Sequence, residues 1–388
     1  MKQLQKCARL MLMLGGSMAA FAHHSFAVFD TTREVSIEGT VKQFSYTNPH
    51  IWIDVEVANG KGGSDLWGIE TGPPSQQRRL GWTPDILKPG DKVKATLHPR
   101  RDGTHAGSIV TLAFADGTMV GQPRNRGPAS AKPPNEQQAS ADRSAGDAAQ
   151  GAHPLLVALV PQLKFGFYHQ PVGQPESAGA PPSADARNFA GRYFPNEGTL
   201  LLPGEAGTLA PYNDAGARLF LGRARDFIAG KLRADPLSLC KPGGVVRAMN
   251  QGFPTQITQS ADLLTLIFME DHLVRRIYLN PATAPRDPAP SYMGYSVGHW
   301  EGDTLVVDTS RFRDGGWMDE YGSPSSDQLH LTERISKQSD GTLNFDIHLE
   351  DPKYYQAPMQ LKRSWKWQPT VSWDEVICEE NNRDAPVK

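Results

Sequence analysis

A glycine set between two carboxylates, Glu301-Gly302-Asp303, separates two runs of β-forming residues, 295–300 and 304–309. Alternating apolar residues on both sides of so short a polar connection specify a tight hairpin, so the chain here is committed to antiparallel sheet. Glu270-Asp271-His272 and Ser339-Asp340-Gly341 are connections of the same kind. Strand candidates run through 256–258, 263–269, 273–279, 295–300, 304–309, 329–336, 343–350, 359–367 and 373–378. So many short strands joined by turns predict a large antiparallel barrel or strongly curved sheet. Helix is confined to 214–227, where the alanine and arginine content favours it.

An earlier group of strands has its own pattern. Ile51, Ile53, Val55 and Val57 alternate with Trp52, Asp54 and Glu56, the period of a half-buried strand. Similar runs occupy 35–46, 65–70, 92–98 and 108–114, with a short helix signal at 74–80 and a Lys88-Pro89-Gly90-Asp91 turn before the fourth. Five strands with a helix between the third and fourth make the OB arrangement, a small Greek-key barrel. From 121 to 151, and again from 171 to 186, the composition shifts to Pro, Gly, Ser and Ala, which cannot bury enough apolar surface to order itself. An apolar island at 154–168 interrupts this linker as a docking segment, and its bracketing His153 and His169 are not site candidates. The chain thus reads as mainly β: a signal peptide at 1–22, an OB-like domain at 23–120, a Pro/Ala/Ser-rich linker at 121–187 and a larger β domain at 188–385.

Lys2, Lys6 and Arg9 precede a short apolar run at 10–14, and Ala20-Phe21-Ala22 fits a small-residue cleavage signal. The expectation is an exported protein, periplasmic or secreted, with no membrane span after cleavage. Cys7 leaves with the signal peptide, so Cys240 and Cys378 remain as a disulfide pair in an oxidising compartment. A reactive thiol or metal-ligand role is the alternative, but neither cysteine has a Cys or His neighbour at ligand spacing. Lys plus Arg number 40 against 42 for Asp plus Glu, and no basic stripe appears, which argues against a nucleic-acid partner.

Cleavage after Ala22 would expose His23-His24-Ser25. A terminal histidine offers its α-amine and its imidazole, and with His24, and His50 as a further ligand, this set suits copper; a frayed terminus with solvated imidazoles is the alternative. In the larger domain, Gln328, His330, Thr332 and Arg334 share one strand face, opposite Leu329, Leu331 and Glu333. Arg275 shares a face with Leu273 and Ile277, and Arg276 shares one with Val274 and Tyr278. With His330, Arg276 and Tyr278 turned into the barrel, a base, a fixed cation and a phenol would meet, with Asp319 or Asp327 orienting the imidazole. That set suits a cofactor-free lyase, isomerase or hydratase. The same residues in surface or interstrand ion pairs would serve the sheet alone. The other functional reading is a binding module for a small, partly apolar ligand, held by Trp300, Trp317, Phe312, Tyr278 and Arg275. No Gly-x-Ser-x-Gly elbow, dinucleotide glycine loop or zinc-protease spacing occurs, and no cofactor is implied beyond the copper.

Two resemblances accompany this reading. His23-His24-Ser25-Phe26, Thr47-Asn48-Pro49-His50, Trp67-Gly68-Ile69-Glu70 and Lys88-Pro89-Gly90-Asp91 resemble the motifs of a secreted bacterial family, domain-of-unknown-function family 6152, over the first third of the chain. Its members start with paired histidines after a signal peptide, which implies interest in a metal at His23, His24 or His50; the family carries no activity. Asn188-Phe189-Ala190-Gly191-Arg192-Tyr193 resembles the opening of lipocalin-like barrels. The run Gly298-His299-Trp300-Glu301-Gly302-Asp303-Thr304, with Leu239-Cys240-Lys241-Pro242, Ser326-Asp327 and His330, is similar to a region of uncharacterised secreted bacterial proteins. It implies one folding unit and no substrate.

Overall fold

The computed structural model describes residues 28–120, 152–163, 167–169, 179–195, 197–199, 201–202, 209–231, 235–251, 253–270, 272–371, 373, 375–378 and 380. The first barrel contains β1 (Val35–Ser45), β2 (Trp52–Ala58), β3 (Ser64–Glu70), β4 (Lys92–Pro99) and β5 (Ala106–Phe114). They close in the order β1-β2-β3-β5-β4, with α1 (Pro74–Arg79) between β3 and β4. This is the expected OB-like arrangement. Ile53, Val55, Ile69, Val93, Ala95 and Leu97 fill its interior from alternate positions.

β6 (Phe167–His169) and β8 (Glu197–Thr199) pair with each other, while β7 (Gly191–Pro195) belongs to the second barrel. That barrel continues with β9 (Thr255–Gln259), β10 (Leu263–Phe268), β11 (Val274–Tyr278), β12 (Tyr295–Glu301) and β13 (Thr304–Ser310). A short hairpin of β14 (Gly316–Trp317) and β15 (Pro324–Ser325) precedes β16 (His330–Lys337), β17 (Leu343–Glu350) and β18 (Met359–Trp367). The ring is β10-β11-β12-β13-β16-β17-β18-β7-β9, closed. At its best-marked turn Glu301 pairs with Thr304, and Gly302 takes φ +58°, the positive φ that the favoured two-residue hairpin turns require at their first position and that glycine adopts without steric cost.

Antiparallel neighbours reverse direction at every step, and an odd number of strands cannot reverse all the way round a closed ring. Each barrel accordingly has one parallel pair: β3–β5 in the first, β11–β12 in the second. The expectation of an antiparallel second domain holds at every other pairing and fails at this seam. A parallel pair cannot be joined by a hairpin. The chain therefore crosses from Tyr278 to Tyr295 through residues 279–294, which carry Pro281, Pro285, Pro288 and Pro290.

Among the described residues the interior of the second barrel is packed with side chains. Ile257, Leu264, Leu266, Ile277, Leu305, Val307, Phe345, Ile347, Leu361 and Trp365 are buried together. Among them lies a bidentate ion pair. Arg275 Nη1 donates to Glu333 Oε1 at 3.0 Å and Nη2 to Glu333 Oε2, with both side chains essentially inaccessible. Arg275 Nε also donates to Ser296 Oγ at 3.2 Å, and Nη2 to Thr309 Oγ1 at 2.9 Å. The helical turn Val245–Ala248 brings Met249 and Asn250 to the same interior, where Met249 O accepts from Trp365 Nε1 and Asn250 Oδ1 from Arg363 Nε.

Outside the ring, α2 (Asp214–Ile228) starts where Asn213 accepts from Ala215 N and Gly216 N, close to the predicted span. Its buried Phe220 stacks on Tyr212 and its Phe227 packs on Tyr321. The apolar island also docks: Leu156, Leu159 and Val160 join the same core cluster. Cys240 and Cys378 form the expected disulfide. Among the described residues no helix is long and apolar enough to cross a membrane.

Two stability measurements follow. Arg275→Met alone should cost about 3–5 kcal/mol in chemical denaturation, because it strands a buried carboxylate, and adding Glu333→Leu should recover much of that loss. Cys240→Ser with Cys378→Ser should lower the unfolding free energy by about 2–5 kcal/mol without changing the β-sheet circular dichroism of the folded state.

Candidate functional site

The parallel seam shapes the most distinctive open surface of the second barrel. Because the 279–294 crossover must pass outside the ring, Pro285 and Pro288 form one wall of a groove, with Val274, Arg276 and Tyr278 of β11 beneath it. Tyr292, Met293 and Tyr295 close the far side, and the groove encloses about 390 Å³. Tyr278 and Tyr295 rings lie 5.6 Å apart and tilted by 34°, and Tyr295 Oη donates to Pro285 O at 3.0 Å, which pins the crossover to the sheet. Tyr292 carries Arg313 over its ring, at 5.5 Å. Arg276 is exposed, with no carboxylate partner among the described residues. The lining is thus apolar and aromatic, with one uncompensated guanidinium suited to a carboxylate, phosphate or phenolate.

Two of the residues expected to act together, Arg276 and Tyr278, do meet here, but on the outside of the ring. Strand parity explains the correction. The buried face of β11 is Arg275 and Ile277, and that of β16 is Leu331, Glu333 and Ile335, so Arg276, Tyr278 and His330 point away from the interior. Arg275 holds Glu333 in the core rather than a ligand. His330 Nε2 pairs with Asp308 Oδ2 at 2.8 Å, and its side chain is 39% exposed. It is not part of the groove.

Neither acid expected to orient His330 does so. Asp319 is buried and accepts from Leu202 N, Gly322 N, Ser323 N and Ser323 Oγ, fixing the loop around the β14–β15 hairpin. Burial pushes its carboxyl above the usual range, against the pull of the Ser323 and Leu202 hydrogen bonds and the Arg247 charge. Asp327 is exposed, 3.7 Å from Lys353. The aromatic residues expected to line one cavity are dispersed. Trp300 packs edge-on against Phe189, Trp317 lies buried beneath Arg223 at 4.9 Å, and Phe312 is buried beside Gly294.

In the first barrel, His50 Nδ1 pairs with Glu70 Oε1. His23 and His24 lie outside the described residues. Among the described residues no three His, Cys, Asp or Glu side chains gather at metal-binding separations. The partners that sequence reading missed are visible only once the strands are placed: Asp308 for His330 and Glu70 for His50 come from neighbouring strands, and Glu333 meets Arg275 across the barrel interior, from a strand two places beyond its neighbour in the ring.

Fold and site together define a protein of two closed β-barrels, the first OB-like and the second filled and carrying an external groove. Residues 11–109 match the family model described as a family of unknown function (DUF6152), which covers the first barrel up to β5 and none of the second. A search of the curated proteins finds no match.

The outer polar face beside His330 provides a pH test. His348 Nε2 contacts Glu350 Oε1 at 2.9 Å and Nδ1 contacts Gln360 Oε1, and the Glu350 hydrogen bond holds the imidazolium above the ordinary histidine range. A raised folded-state value means that this pairing stabilises the fold fully below the ordinary imidazole pKa and fades as pH rises through the raised one. An NMR titration should place the His348 midpoint above that of a model histidine. Glu350→Gln should bring it down.

Proposed function

We propose that this is an exported binding protein whose second barrel holds a small, partly apolar, anionic ligand in the groove of Arg276, Tyr278, Tyr292 and Tyr295. The observation that carries this reading is the Arg276 guanidinium, which has no carboxylate partner among the described residues, beside the Tyr278–Tyr295 pair in a proline-lined groove. Aromatic faces supply contact area at low entropic cost, and one fixed cation orients an acidic group. An aromatic or isoprenoid acid satisfies both features. The Cys240–Cys378 disulfide favours an oxidising compartment and so supports export. The lyase, isomerase or hydratase reading needs His330 in an enclosed pocket; its place on the outer face with Asp308, away from the groove, favours binding instead.

The test is to incubate the protein with a metabolite extract and with a panel of aromatic carboxylates, then analyse what co-purifies by mass spectrometry. Ligand recovered unchanged, with affinity reduced about tenfold or more by Arg276→Ala, is the expected result, since a hydrogen bond to a charged group contributes about 1.5–3 kcal/mol. Tyr278→Ala should weaken binding as well, and His330→Ala should leave it unchanged. Equal binding by Arg276→Ala would remove the groove as the site. Chemical conversion of a panel member that disappears in His330→Ala would replace the binding reading with an enzymatic one.

A further inference from the structure

The groove on the second barrel sits among more positive charge than its own lining supplies. Arg276 lines it, and Arg313, Arg286 and Lys241 stand at its margin. Arg313 lies over the ring of the lining Tyr292 at 5.5 Å, and its backbone N donates to the lining Ser291 O at 2.9 Å. Arg286 lies on the crossover between the lining Pro285 and Pro288, and Lys241 immediately precedes the lining Pro242. All four cations are exposed, and none has a carboxylate partner among the described residues. The acidic neighbours of two of them are taken up elsewhere: Asp287 accepts from Arg311 at 3.1 Å and Asp314 from Lys353 at 2.7 Å. The chain as a whole carries a formal charge of −2, so this cluster of unmatched cations is a local feature. Consecutive Cα atoms are about 3.8 Å apart, and exposed charges act over roughly 8–10 Å at ordinary salt, so a cation one residue from the lining adds to the potential in the groove without touching its contents.

We infer that the groove selects a phosphate monoester on an apolar body over the corresponding monocarboxylate, and that Arg313 and Arg286 set this preference. The inference rests on the binding reading above and narrows its ligand class. One guanidinium balances one carboxylate, and the remaining cations balance nothing until a second negative charge arrives. A phosphate monoester carries about −1.5 to −2 at neutral pH and offers three acceptor oxygens. Guanidinium forks match such oxygens two at a time. The Tyr278–Tyr295 pair and the prolines hold the apolar body, which leaves the phosphate to Arg276 and to the margin where Arg313 lies over Tyr292. Such a head belongs either to a free small molecule or to a lipid.

The test is calorimetric titration of the full protein with naphthyl phosphate and with naphthoate, which share an apolar body and differ in head charge. The expected result is an affinity for the phosphate higher by about tenfold or more, the increment of one further hydrogen bond to a charged group. The ratio of the two affinities should fall toward one in Arg286→Gln with Arg313→Gln. Both side chains are exposed, so neither substitution opens the core. Arg276→Ala should weaken both ligands. Co-sedimentation with vesicles of phosphatidic acid, a phosphate monoester, and of phosphatidylglycerol, a diester, separates the sources: a preference for phosphatidic acid without binding of naphthyl phosphate assigns the head to a lipid. Equal affinity for the two naphthyl ligands, with no preference for phosphatidic acid, overturns the inference and leaves the binding reading standing. A phosphate preference that survives the double substitution overturns the assignment to Arg286 and Arg313. Binding of neither naphthyl ligand and of neither vesicle overturns the inference, and binding that Arg276→Ala leaves intact removes the groove and both conclusions with it.

Discussion

Closure of a ring with an odd number of strands is the constraint on which the second domain depends. Nine strands leave one pair that must run parallel, and the ring places it between β11 and β12, which are consecutive in the chain. Consecutive parallel strands demand a long external crossover. In the first barrel the parallel pair is β3–β5, with β4 between them in sequence, so the return is made through a strand of the same barrel, reached by the 71–91 connection that carries α1. The groove is therefore a consequence of topology before it is one of side chains: the proline-rich crossover makes a wall because it has to lie somewhere outside the ring.

The same closure separates two kinds of polar residue. Inside the ring, Arg275, Glu333, Ser296 and Thr309 satisfy one another in a network with no access to water, and this network sets how the strands pack. Outside, His330 with Asp308 on the neighbouring strand, His348 with Glu350 on its own strand, and Arg334 with Glu301 across β13 form solvated pairs. Pairs of this exposed kind contribute little to stability.

Much of this architecture was legible in the sequence. Period-2 alternation located the five strands of the first barrel, the short polar turns located most strands of the second, and alanine and arginine content located α2, whose Asn213 cap was not read from the sequence. The inward face of β11 and β16 was harder to read, because each strand carries charge on both faces. Leu329, Leu331 and Ile335 share a face with Glu333, and Ile277 shares one with Arg275. Apolar content pointed to those faces as the buried ones, and the chemistry of His330 and Arg276 pointed to the opposite ones. Apolar content decided it, since each buried face carried a single charge and the two charges were opposite in sign. The parallel seam left no local mark; it follows only from the number of strands that close the ring.

The disulfide has a consequence for how the barrel bears load. β9 through β13 and β16 through β18 all lie between Cys240 and Cys378, and β7 is the only strand of the ring outside that covalent loop. A pull applied along the chain from its two ends passes from residue 378 directly to residue 240, so tension bypasses every strand within the loop. The force falls instead on β7, held between β18 and β9, which can be drawn out of the ring while its neighbours remain tethered. Mechanically, the second barrel is a closed covalent loop fastened by one removable stave.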